Sequence, residues 1–159
     1  MNLNQFDSLL PPQMAERAAD IGVGKATKDP IKSFLLAISA GIHIGIAFVF
    51  YTIVTTGAGD LPWGITRVLG GLAFSLGLIL VVVTGGELFT SSVLTLVARA
   101  SGKITWVTLF KNWATVYVGN LIGALLLVAC MLATKQYMFD NGQVGLNAMA
   151  ISQHKMHHY

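Results

Sequence analysis

The sequence predicts an all-α integral membrane protein with three transmembrane helices, the second broken at a loop. Three observations predict it. Of the 159 residues, 54% are hydrophobic and only 11% charged, against about a quarter charged in soluble domains. Two runs, Ser33 to Gly59 and Asn112 to Thr134, carry no charge for 27 and 23 residues. Each can cross a hydrocarbon core of about 30 Å as a helix. A third apolar segment, Val68 to Ala98, holds Glu87 as its only charge, directly after Gly85-Gly86. All three runs are continuous rather than alternating, which disfavours a closed β-barrel.

The chain divides into a cytoplasmic N-terminal segment (residues 1–30), a three-span half-domain (31–135) and an external tail (136–159) leading to a missing fourth span. Met1 to Lys32 is polar and lacks the apolar core of a cleaved signal peptide. Within it, Pro11-Pro12 followed by Gln13 to Ile21 reads as a short amphipathic helix. Met14, Ala18 and Ile21 lie on one face, and Gly22 and Gly24 end it. Two roles are open for this helix: lying on the membrane face, or covering the mouth of a pore.

The first span carries Gly41, His43 and Gly45. The small residues permit close helix contact. The histidine is expected to be neutral and bonded to a neighbouring helix or subunit. Gly57, Gly59, Asp60 and Pro62 form a turn cluster, and Trp63 follows where interfacial aromatics are enriched. The third span opens between Trp106 and Trp113 and carries Gly119 and Gly123, a Gly-x-x-x-Gly pair expected to pack helices closely. After Lys135 the chain turns polar, with Asp140-Asn141-Gly142 as a turn.

The middle segment holds the chemistry. A continuous helix over Val68–Ala98 would be roughly 46 Å long, too long for one straight crossing and too short for two. A break at Gly85-Gly86 resolves the mismatch, and broken helices are where transporters place substrate sites. Backbone freed by a break must be satisfied inside protein or by a wet cavity. Glu87 is expected to accept from amides at the start of the second half-helix, as a cap does. Thr90 and Ser91 supply hydroxyls there, and the positive helix end beside them suits a small anion. Phe74 and Leu78, one turn apart, form an apolar constriction with Phe89 or else serve as lipid-facing or core residues.

Other functions are disfavoured. Cys130 is the only cysteine and falls in a span, where packing is its expected role. The net charge is only +3, and the basic residues flank spans instead of forming a nucleic-acid stripe. No nucleophile–base set or phosphate loop marks an enzyme, and no cofactor is implied. Grouping of His154, His157 and His158 offers a weak metal-binding alternative, with no metal ligands assigned.

Orientation follows from the basic residues. With three crossings and a cytoplasmic N-terminus, Arg17, Lys25, Lys28, Lys32, Arg99, Lys103 and Lys111 are inside, and Arg67, Lys135 and Lys155 outside, seven of the ten against three. This is the sense of the positive-inside rule. Three crossings are also half of the six that inverted-repeat transporters use.

The run Val82-Val83-Thr84-Gly85-Gly86-Glu87-Leu88-Phe89-Thr90-Ser91 resembles the first signature of the formate/nitrite transporter family. The likeness, nearest to the family's bacterial formate channels, covers essentially the whole chain. It includes Phe6-Asp7, Gly24-Lys25-Ala26-Thr27-Lys28, Phe74-Ser75-Leu76-Gly77-Leu78, Lys111-Asn112-Trp113 and His154-Lys155. The resemblance implies an aquaporin-like, six-span protomer of which this chain is one inverted repeat. It also implies a homopentamer in the bacterial inner membrane, with a pore for formate and related anions such as nitrite through each protomer. Thr90 then faces the pore centre, within the broken-helix loop of Gly85, Gly86, Glu87, Leu88 and Ser91. Phe74, Leu78 and Phe89 match constriction positions, Lys155 matches a lysine that attracts or polarises the anion, and the N-terminal helix is associated with gating. Channel and proton-coupled carrier both stay open, as does the ranking of formate, nitrite and hydrosulfide. Family members are about twice this length and carry a second signature with a central histidine that this chain lacks, so the chain is expected to be an N-terminal half. The alternative is a transport-incompetent fragment acting as a membrane assembly partner.

Overall fold

A computed structural model describes residues 10–156. Phe6-Asp7, His157 and His158 lie outside them. Among the described residues the regular structure is all helical. It comprises α1 (Pro11–Ala26), α2 (Pro30–Thr55), α3 (Trp63–Thr84), α4 (Phe89–Ser92), α5 (Leu94–Ala100), α6 (Trp106–Ala133) and α7 (Gln143–Met156). Three of these, α2, α3 and α6, are apolar and long enough to cross a membrane, with 26, 22 and 28 residues. The chain is a multi-pass membrane protein.

Start and stop chemistry sets the boundaries. Asp29 caps α2 by accepting from the Lys32 amide at 2.8 Å, with Pro30 at the first helical position. Thr105 caps α6 through the Thr108 amide. Turn geometry holds at Asp140-Asn141-Gly142, all three with positive φ. The residues after this turn form α7, which docks on the end of α2. There Asn147 donates to the Thr52 carbonyl at 2.9 Å and to the Thr55 and Thr56 hydroxyls, satisfying groups that a helix C-terminus leaves open.

The three long helices pack through small residues. Added Cβ atoms at Gly119 and Gly123 of α6 would meet Ala37 and the Ile38 carbonyl of α2. One at Gly41 of α2 would meet the Asn120 carbonyl of α6. The Gly-x-x-x-Gly pair therefore brings two backbones of this same chain together, with dispersion in place of a hydrophobic drive. Gly77 does the same between α3 and α2, against Ala47 and the His43 carbonyl.

Two sequence expectations are corrected. Gly22 and Gly24 do not end α1, which continues to Ala26. Gly22 is buried where a Cβ would meet the Leu94 carbonyl and Ala98 of α5, so it serves close approach rather than termination. The packed face of α1 is Ala19, Gly22, Val23 and Ala26, whereas Met14 and Ile21 are exposed. The α5 backbone comes too near for larger side chains. Cys130 is exposed on α6 rather than packed. No helix of this chain among the described residues meets the buried His43 Nδ1, which leaves a neighbouring subunit as its expected partner.

Candidate functional site

The break in the middle segment lies between Thr84 and Phe89, where the glycines place it. Gly85 takes the left-handed conformation, φ +66°, which only glycine adopts without strain. Its amide and that of Gly86 return to the Val82 and Val81 carbonyls at 3.2 and 2.8 Å, a Schellman-type end to α3. Glu87 follows outside any helix, its amide donating to the Leu36 carbonyl of α2.

One side chain meets three further backbone groups around the break. Asn120, in the middle of α6, accepts from the Phe89 amide at 2.9 Å. It donates to the Glu87 and Ala37 carbonyls, both at 2.8 Å. The capping role expected of Glu87 therefore belongs to Asn120. A carboxylate only accepts, whereas an amide side chain both accepts from the freed N–H and donates to the freed carbonyls. Further along, the step between α4 and α5 is tied by Trp113, whose indole N–H reaches the Ser92 carbonyl and the Thr95 hydroxyl.

The Glu87 carboxylate turns instead toward α1. Its side chain is 2% exposed, and it pairs with Lys25 at 2.6 Å and with Lys28. Lys25 also donates to the Ser91 hydroxyl at 3.2 Å, and its carbonyl accepts from Asn112. The last turn of α1 and the linker after it are thus fastened to the broken loop by two cations on one anion. The helix that sequence leaves open as a membrane-surface element or a cover for a pore mouth is latched to the break. Neither Lys25 nor Lys28 was singled out for this contact, because the partners lie 62 and 59 residues apart.

Two cavities border α3. One, of about 430 Å³, is lined by Leu78, Gly85, Gly86, Glu87, Leu88, Thr90 and Ser91 of the broken segment, with Lys25 and Lys28 at its side. Thr90 is exposed there and does not cap its helix. The other, of about 850 Å³, contains Phe74, Arg67, His154 and Lys155. Phe74 and Leu78 are one helical turn apart, about 6 Å along the axis, and each lines a different cavity. Of the expected constriction residues, these two therefore mark the wall between the cavities. The Phe89 ring stands edge-on to Trp113 and Tyr117, with centroids 5.8 and 5.5 Å away, and the structure does not bring it together with Phe74. Lys155 sits over the Phe48 ring at 5.2 Å, and Phe48 in turn contacts Phe74 edge-on. No group of three metal-ligating side chains occurs among the described residues.

Against this geometry, comparison with known proteins gives consistent findings. Residues 12–159 match the family model described as formate/nitrite transporter. The chain is 57% identical over 155 residues to the formate channel FocA of Escherichia coli strain K12, covering 98% of this chain and 54% of that protein. The FocA of Haemophilus influenzae is 48% identical over 151 residues, 95% of this chain and 53% of that protein. Among solved structures, a pentameric formate channel with formate bound superposes with a TM-score of 0.76 at 74% identity, over 80% of this chain and 50% of that one. The chain spans about half the length of the curated relatives it matches.

Proposed function

The chain belongs to the formate/nitrite transporter family, and from that premise we propose that it supplies half of a protomer passing formate and related small monovalent anions, such as nitrite, across the bacterial inner membrane. The observation that carries this reading is the break in the middle segment, held by Asn120 with Thr90 beside it. Asn120 meets the Phe89 amide and the Glu87 carbonyl, and the Gly85 and Gly86 amides close α3, while the Thr90 hydroxyl is left exposed on a cavity. A hydroxyl spared from structural duty can bond an anion that has shed water.

The path runs along α3. From the cavity of Lys155 the anion meets Phe74, passes one apolar turn to Leu78 and reaches Thr90. Apolar walls at that turn resist hydrated ions, because water bound to an ion finds no partners there. Carrying a bare charge across it is costly, so passage is eased where the anion takes up a proton locally. The facing wall comes from the remaining half of the protomer. Five protomers assemble, each with its own pore, with the N-terminus and the Lys25–Glu87–Lys28 latch on the cytoplasmic side. The seven-to-three distribution of basic residues and the pentameric solved relative support that arrangement.

The test is a chimera in which this chain replaces the 155-residue segment it matches in the E. coli channel. Reconstituted in liposomes, it is expected to take up labelled formate saturably. Correctly inserted chimera of pentamer size with no uptake would overturn the proposal.

A further inference from the structure

The larger cavity holds charge in a way that Lys155 alone does not explain. Arg67 lines it together with Lys155 and His154, and no carboxylate is among its lining residues. Arg67 is also held in place. Its guanidinium donates to the Tyr51 hydroxyl at 3.1 Å and lies 5.2 Å from the centre of the Trp63 ring. Trp63 and Arg67 are four apart on α3, so they share a face, while Tyr51 reaches across from α2. One N–H of the five in the fork is used on Tyr51, and the group is exposed to the cavity.

We propose that Arg67, oriented by Tyr51 and Trp63, is a second fixed cation of this cavity, and that with Lys155 it concentrates small carboxylates and other monovalent anions ahead of the Phe74 turn. This rests on the transport reading above and adds a residue to it. The physical basis is field focusing. A concave wall of low dielectric lined by one sign of charge raises the local concentration of counter-ions. Arginine adds a planar fork that meets both oxygens of a carboxylate, which lysine does not offer. Held by the two aromatic residues, Arg67 loses little freedom on meeting the anion.

Anion enrichment is measurable without transport, because Trp63 lines the cavity and reports collisions. Fluorescence quenching by iodide and by neutral acrylamide would be compared on the full chain in lipid vesicles, at constant ionic strength with gluconate as the balancing anion. Iodide quenching should fall about twofold or more in Arg67→Gln, and further when Lys155→Gln is added. Acrylamide quenching should not change, and formate should compete with iodide in the unaltered chain. Arg67→Lys should retain most of the iodide effect, and Trp63→Phe should abolish the formate-sensitive part. Iodide quenching unchanged in Arg67→Gln would overturn the proposal. So would an equal change with acrylamide, which would mean that Arg67 only positions Trp63. An active chimera with no such enrichment would remove this inference alone, whereas an inactive chimera with intact enrichment would remove the transport reading.

Discussion

The two cavities on α3 treat positive charge in opposite ways. In the smaller one Lys25 and Lys28 converge on the buried Glu87, so the cations are spent on holding α1 against the broken loop. In the larger one Arg67 and Lys155 rest on aromatic rings and have no carboxylate beside them among the lining residues. Basic residues at a membrane protein's mouth thus have two separate uses, fastening and attracting. Their local partners tell which applies. Charge removed from the first cavity should damage the fold, and charge removed from the second should leave the fold intact and alter only the field.

The largest effect sharpens that contrast directly. Glu87→Gln leaves two ammonium groups facing each other without an anion, and should lower stability by about 3 kcal/mol, in the range for breaking a buried pair. Partial exposure of Lys25 and Lys28, 18% and 30%, keeps the figure from being larger. Unfolding by dodecyl sulfate in mixed micelles reads the loss, and limited proteolysis should show α1 released. An unchanged midpoint would break the distinction between the cavities.

Next is Asn120→Ala, which strands the Phe89 amide and two carbonyls and should lose roughly 2 kcal/mol in the same assay. Interhelical hydrogen bonds in membranes average less than this singly, but three depend on one residue. A shift no larger than that of an ordinary lipid-facing substitution would mean water or lipid replaces the side chain. Smaller again is Arg67→Gln, expected to alter stability by about 0.5 kcal/mol at most, the scale of an exposed cation–π contact. A loss comparable to Glu87→Gln would mean that the larger cavity also uses its cations as fasteners.

The smallest effect concerns Lys103 and Asp20, 2.6 Å apart on the surface between α1 and the turn before α6. The hydrogen bond to Asp20 holds the Lys103 ammonium above the ordinary lysine value of 10.5. A raised lysine contributes stability that is fully present below that ordinary value and is lost as pH rises through the folded one. At neutral pH that contribution is fully present but small, because exposed pairs contribute little, so Lys103→Met should leave the midpoint there nearly unchanged. A large neutral-pH loss would make the contact a third fastener of α1.

Much of this arrangement was legible in the residues themselves. Uninterrupted apolar runs marked the spans, since little else tolerates their length without charge. Gly85-Gly86 beside a lone carboxylate located the break, because a left-handed residue and a charge at membrane depth both need a local reason. Gly119 and Gly123 revealed a close approach, though their spacing did not say which helix would come near. What stayed hidden depends on distant partners. Asn120 looks like one polar residue in an apolar helix, and nothing near it in sequence says that it faces the Phe89 amide 31 residues away. A lone asparagine amid the third span, one residue after a glycine that permits close contact, was the available signal. Glu87 was assigned to the nearest amides when two lysines about 60 residues earlier held it instead. On α1, periodicity grouped Met14, Ala18 and Ile21 on one face, and only the proximity of α5 makes the small residues Ala19 and Gly22 the packed ones.

Thr90 is where the broken helix meets the proposed path, and one substitution tests it. Initial rates of labelled formate uptake would be compared for the chimera and its Thr90→Ala and Thr90→Ser variants, at equal amounts of inserted protein. Loss of the hydroxyl should lower the rate roughly tenfold, equivalent to about 1.4 kcal/mol of barrier, with Thr90→Ser restoring most of it. Equal rates in all three would remove Thr90 from the path and contradict the proposed use of the break as the site where the anion is held.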